Sequence, residues 1–405
     1  GDTTGFAHTS DLSEAGLTAA AEAAAAAAAQ GDGGTRTIAL TRSPERKVNP
    51  IAQYPDEVAK TDKVALLLRM DDAARSAGGA IVQVSASYGD SRKHMLVANT
   101  DGVFVTDEQV RSLVRVTAVA DGDTGMQTGY QSNGLSKGFE YFREIDIDEM
   151  GREASRIALT KLKARPAPSG AMQVVIKQGS GGVLFHEACG HGLEADLVAK
   201  GGSVYRGKVG ELVASPLVTL VDDGTMTGEW GAFGYDDEGH PSQYNVLIKD
   251  GVLTDYMWDY LRARNEGHAR SGNGRRQSYQ HLPMVRMTNT YVLNGEMEPD
   301  DIVRATDSGV YVAKLGGGSV NTATGDFVFG MTEAYLIENG QITEPLREGN
   351  LIGNGPAVLR DIDLLGNDFA MGSPGTCGKD GQGVPVGDGQ PTLRVKSLTI
   401  GGTAS

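Results

Sequence analysis

Two periodicities of apolar and polar positions run along this chain, and the change between them divides it. Residues 56–77 carry Val58, Val64, Leu67, Leu68 and Met70. Residues 146–163 carry Ile147, Met150, Ala154, Ile157, Ala158 and Leu162. Spacing of three to four residues puts such side chains on one face, so both stretches predict helices. An alanine-rich stretch at 15–29 predicts a further helix with a small-residue surface, and Thr9, Ser10 and Asp11 offer caps ahead of it. Residues 30–56 hold Gly31, Gly33, Gly34, Pro44, Pro50 and Pro55 and predict a loop.

Residues 80–120 follow another pattern. Short β-favouring runs (Ile81, Val82 and Val84, then Met95, Val97, Val103 and Val105) are separated by GDSR and NTDG. They predict hairpins, with the clearest turn at Asp101-Gly102. The segment ARPAPSG at 164–170 ends the third helix and reads as a linker. Beyond it come a strand at 171–178, a helix at 184–199, and then mostly strand and turn. LVTLVDDGTM at 217–226, YNVLIKDGVLTDYM at 244–257 and AYLIENGQITEP at 334–345 are examples, with KDG and ENG as hairpin signals. The fold class expected is α+β. A mixed α/β N-terminal domain, 1–165, precedes a β-rich, largely antiparallel C-terminal domain, 171–405.

Composition narrows the function. The chain has 405 residues and a formal charge of −15, which argues against a broad nucleic-acid surface. No apolar run is long enough to span a bilayer. The first residues include neither Met nor a signal-like segment, so the N-terminal domain is expected to lack its natural start. Two cysteines, Cys189 and Cys377, do not make a disulfide scaffold, and a cytoplasmic setting with free thiols is the default.

The densest chemistry lies in VLFHEACGHGLEAD at 183–196, which holds His186, Glu187 and His191. Zinc peptidases place two histidines four residues apart on one helical face. Here the spacing is five, which an ideal helix turns into roughly 140°. A shared ion therefore requires a distorted helix around 188–192. A π-bulge would return the fifth residue to nearly the same face, and Gly190 and Gly192 would ease the backbone. Glu187 would then face the attacking water. Zinc needs a third protein ligand. Glu194 and Asp196 are near in sequence, while His240, His268, His281 and Cys377 are distant, and spacing does not choose among them. Cys189 reads as a small packing residue; His8 and His94 read as ordinary histidines.

Longer stretches carry a resemblance. They are FHEACGHGLEAD at 185–196, SGNGRRQSY at 271–279, RMTNTYV at 286–292, TGDFVFGMTEAYLIENG at 324–340, LIGNGPAVL at 351–359 and GTCGKDGQGVPVGDGQPTL at 375–393. In this order they resemble the TldD/TldE (TldD/PmbA) metallopeptidase family, and the metal-bearing TldD-type subunit within it. The resemblance implies His186, His191 and Cys377 as metal ligands and Glu187 as the catalytic residue. That two-histidine, one-cysteine set suits zinc, one per catalytic subunit, with iron, cobalt or nickel as possible occupants. Short or unfolded peptides are the implied substrates, and dimers the implied assembly, with a TldE-like partner or as homodimers. No nucleic-acid or membrane partner is expected.

Several assignments rest on residue type alone. Tyr235, His240, Tyr279 and His281 are candidates for stabilising the oxyanion. Arg275 and Arg276 are candidates for holding a peptide carboxylate. Gly316, Gly317 and Gly318 would let an extended peptide add to a strand edge, or form a plain turn. The rival functions are hydrolysis of non-peptide amides, a non-catalytic structural subunit, and a nucleic-acid regulator.

Overall fold

A computed structural model describes residues 4–28 and 37–403. The first helix runs Glu14–Ala27, capped by Ser13, whose hydroxyl accepts from the Gly16 N–H. Asp11 instead accepts from the Ser13 N–H, so the cap lies after the three residues expected to supply it. Residue 29, the expected end of that helix, and Gly31, Gly33 and Gly34 of the expected loop lie outside the described residues.

The strands Ile81–Ala98 and Val103–Ala120 form one long antiparallel hairpin, extended by Gln127–Leu135. The sequence suggested several hairpins, with GDSR as a break. The strand instead runs straight through it. Cross-strand and neighbouring charges explain why: Asp90 meets Lys63 at 2.7 Å, and Arg92 meets Glu108 at 2.8 Å. The turn at NTDG is present, with Gly102 at φ 85°. Helices Lys60–Arg75 and Ile147–Leu162 pack on this sheet through a shared cluster including Leu66, Met70, Val114, Val116, Ile147, Ala154 and Ala158.

Residues 165–166 do more than link. They add as a parallel edge strand beside Leu346 and Arg347. An eight-stranded and a seven-stranded sheet follow, with a two-stranded one, Gly274–Arg275 against Met284–Val285, and most of the pairings are antiparallel. A large apolar cluster that includes Val174, Leu184, Phe185, Leu193, Phe329 and Val395 gathers their buried side chains. KDG and ENG are hairpin turns as read, with positive φ at Asp250 and Gly251 and at Asn339 and Gly340. Together the helices and the mixed sheets make an α+β fold. Among the described residues no helix is long and apolar enough to cross a membrane.

Candidate metal centre

The segment bearing the histidines is not one regular helix. An α-helical turn, Gly182–Phe185, passes into a π-helical stretch at His186–Gly190 and then a 3-10 turn at His191–Leu193. The His191 N–H bonds to the His186 carbonyl, five residues back. That extra residue per turn is what brings two imidazoles spaced by five to one side. The distortion begins two residues before the expected 188–192. At Glu194 the chain turns extended, and a short helix, Ala195–Ala199, resumes.

Gly190 and Gly192 matter for a reason the sequence did not reveal. Gly190 has φ −50°, an ordinary helical value. A Cβ there would lie 2.2 Å from Met287 Sδ, and one on Gly192 would lie 2.7 Å from the Tyr205 ring. The glycines admit neighbouring side chains rather than unusual dihedrals.

Cys377 arrives from a separate strand, Gly375–Lys379, hairpinned onto Gln382–Gln390. Its Sγ lies 3.2 Å from His186 Nε2 and 3.3 Å from His191 Nε2. The imidazole planes stand at 87° with ring centres 5.0 Å apart. All three donor atoms lie within 4.8 Å of one another, and all three residues are buried. Zn–S of about 2.3 Å and Zn–N of about 2.0–2.1 Å put tetrahedral S···N separations near 3.6 Å. The donor set therefore fits a zinc-sized ion after small adjustments. Two imidazoles and a thiolate also match zinc by ligand type. No other such cluster occurs among the described residues.

Burial opposes charge on the Cys377 thiol, but hydrogen bonds with His186 and His191 outweigh it and bring it down to about 5. His191 is also buried, yet the Glu194 carboxylate and the Cys377 sulfur hold it above the usual histidine range. The sulfur is thus disposed to be thiolate, the form that ligates metal. Glu187 sits beside this set, with Oε2 3.9 Å from His191 Nε2 and its side chain 22% exposed. It is more open to solvent than either histidine.

The other candidates go elsewhere. Asp196 Oδ1 pairs with Lys379 at 2.7 Å. Glu194 Oε2 contacts His191 Nδ1 at 3.0 Å, on the ring edge away from the sulfur. His240 bonds Gln243, His268 stacks on Trp258, and His281 bonds Ser278. The Tyr235 hydroxyl donates to the Pro44 carbonyl, and Tyr279 is an exposed side chain. Arg275 spends both terminal nitrogens on the Met287 and Pro385 carbonyls, and Arg276 reaches the His281 carbonyl. That makes Arg275 a structural clamp rather than a free carboxylate fork.

Sequence reasoning missed Arg286 and Lys379. Arg286 is fully buried and donates to the carbonyls of Cys377 and Gln382, fixing the hairpin that delivers the sulfur. It lies in RMTNTYV, one of the stretches that carry the family resemblance. Lys379 follows Cys377 by two residues, the strand repeat that shares a face.

The profile described as "PmbA/TldA metallopeptidase C-terminal domain" matches residues 169–402, and that for the central domain matches 53–162. A Haemophilus influenzae relative named "Metalloprotease TldD homolog" is 42% identical over 416 residues, covering 100% of this chain and 85% of its own. A Saccharolobus solfataricus relative named "Zinc metalloprotease TldD homolog" is 30% identical over 325 residues, covering 80% of this chain and 72% of its own. The crystal structure of TldE from Thermococcus kodakarensis superposes with a TM-score of 0.76, covering 98% of this chain and 87% of that one. At 20% identity, this last likeness speaks to the fold alone.

Proposed function

Starting from a chain that belongs to the PmbA/TldD metallopeptidase family, we propose a zinc-dependent peptidase in which His186, His191 and Cys377 hold the metal and Glu187 moves the protons. The observation that carries this reading is the convergence of two imidazoles with a sulfur at least 186 residues away from either along the chain. The zinc-named relative supports the choice of metal.

Zinc, when bound, supplies a Lewis acid that polarises the scissile carbonyl and acidifies a water. The remaining work belongs to the chain. Glu187 lies next to the ligand set without joining it, so its carboxylate is free to take a proton from the attacking water. The same group returns that proton to the leaving amine. His186 and His191 keep their Nε2 atoms towards the sulfur, so neither ring is placed to compete as the base.

Short or unfolded peptides fit one feature of the sheet. Gly316, Gly317 and Gly318 lie inside the strand Ser308–Val320, not in a turn, where its pairing to Asp326–Glu338 is irregular. The strand's other neighbour, Gly170–Ile176, pairs only with residues 309–312. Past that point one edge of the strand is left without a strand partner among the described residues, and an extended peptide could add there. Division into 1–165 and 171–405 belongs to the same reading, supported by separate apolar clusters on the two sides. So does a TldE-like partner, drawn from the family and the TldE fold likeness. Two free buried cysteines suit a reducing, cytoplasmic setting.

The test is an assay of short peptides beside small non-peptide amides, with wild type and Glu187→Ala. Peptide cleavage that disappears in Glu187→Ala while metal content stays constant is expected. Cleavage of small amides only, or full activity in the variant, would overturn the reading. Profiling with a random peptide library tests the edge: loose selectivity is expected, and a strict demand for one side chain would contradict strand addition.

A further inference from the structure

The sulfur and the histidines come from distant parts of the chain, yet their backbones are joined by a second connection. Lys379 shares a strand face with Cys377 and is only 7% exposed. Its ammonium uses all three donors: Glu194 Oε2 at 3.0 Å, Asp196 Oδ1 at 2.7 Å and the Val285 carbonyl at 3.0 Å. Glu194 is fully buried, and the same Oε2 receives His191 Nδ1 at 3.0 Å. A carboxylate only accepts, so this contact keeps a proton on Nδ1 in either charge state of the ring, and Nε2, on the Cys377 side, is the nitrogen that ligates once the ring is neutral.

These contacts close a ring: Cys377, Gly378, Lys379, Glu194, His191, and back to Cys377 across 3.3 Å. The other histidine has no such support. His186 Nδ1 is buried without a hydrogen-bond partner. Glu194 Oε1 is likewise buried and unpaired. A buried carboxylate with an unused oxygen costs stability, which calls for a role beyond packing.

We propose that Glu194 and Lys379 are positioning residues for the metal centre: Glu194 fixes the tautomer and angle of His191, and Lys379 holds both acids against the strand that carries Cys377. This rests on the metal-site reading above. Carboxylates behind ligating histidines raise ligand basicity and are commonly worth about 10–100-fold in metal affinity. Here the carboxylate is tethered to the third ligand's own strand. One carboxylate oxygen, Glu194 Oε2, therefore sets both the ring and the distance between the two ligand-bearing segments.

The test measures zinc dissociation constants by competition with a chromophoric chelator, and visible spectra of the cobalt-substituted protein. The variants are Glu194→Gln, Lys379→Met and Lys379→Arg. Glu194→Gln keeps an acceptor but removes the charge, and it leaves Lys379 paired with Asp196, so folding should survive. It is expected to weaken zinc by about 10–100-fold and to shift the cobalt bands. Lys379→Met is expected to do the same, with partial recovery in Lys379→Arg. If Lys379→Met does not fold, Glu194→Gln decides alone. Wild type that binds zinc, beside a Glu194→Gln variant with equal affinity and an identical cobalt spectrum, overturns this proposal by itself. Wild type that takes up no metal overturns the metal-site reading and this proposal with it.

Discussion

The two segments that build the centre achieve their precision differently. The histidine segment is local: eight residues, 186–193, contain both imidazoles, the acid and the distortion that aligns them. The Cys377 hairpin is remote, and its position is set by others, with Arg286 on its carbonyls and Lys379 on Glu194 and Asp196, just past the first segment. Local geometry is written in spacing. Remote geometry is written in contacts that only the folded chain brings together.

The sharpest contrast is between chemistry and ligation. Replacing Glu187 with Gln in the local segment should lower kcat by about 10²–10⁴-fold, with zinc content unchanged. Steady-state assays beside elemental analysis check it, and loss of metal would place Glu187 among the ligands.

Packing around the distorted helix gives the next largest effect. Gly190→Ala would drive a methyl towards Met287 Sδ, 2.2 Å from the ideal Cβ position. A cost of about 1–3 kcal/mol in chemical denaturation is expected. Combining it with Met287→Ala should cost less than the two singles together, because the clash partner has gone. Strict additivity would mean that the glycine is not there for Met287.

The remote segment can be tested by a matched pair. Gly381 in the Cys377 hairpin has φ 75°, and Gly267 at a helix end has φ 68°; both face open space. Alanine at either should cost roughly 1–2 kcal/mol from the left-handed backbone. Only Gly381→Ala should also weaken zinc. Equal zinc affinity in both variants would show that the hairpin tip does not help place the sulfur.

The smallest effect on the metal centre is expected away from both segments. Burial pushes Asp236 up to about 7 and Glu238 up to about 8, the latter helped by Asp236 itself. Between their ordinary carboxylate values and these raised ones, the folded chain holds protons that the unfolded chain releases. Stability should therefore fall as pH rises through that window and level off above it. Melting temperatures from pH 5 to 9 check this, and Glu238→Gln should flatten the slope without changing zinc content.

The difference between the two segments also explains what could be read in advance. A five-residue histidine spacing demanded an extra residue in the turn, and the π-helical stretch at His186–Gly190 supplies it. The role of Gly190 was misread because Met287 is nearly a hundred residues away, and no periodicity joins the two. Cys377 could not be chosen over Asp196 from spacing; only the resemblance favoured it. Asp196 proves to be occupied by Lys379, a pairing across 183 residues. The long strand through GDSR was hidden for a similar reason, since its partners Lys63 and Glu108 are supplied by other elements. Hairpin turns at Asp250-Gly251 and Asn339-Gly340 were legible because their cause is confined to two residues.

One measurement reaches the centre of the account most directly: zinc per chain, by elemental analysis, in wild type and in Cys377→Ala. Near one zinc per wild-type chain and strong depletion in the variant, with the variant still folded by circular dichroism, is the result expected. Undiminished zinc in folded Cys377→Ala would contradict it, because the sulfur would then play no part in holding the ion.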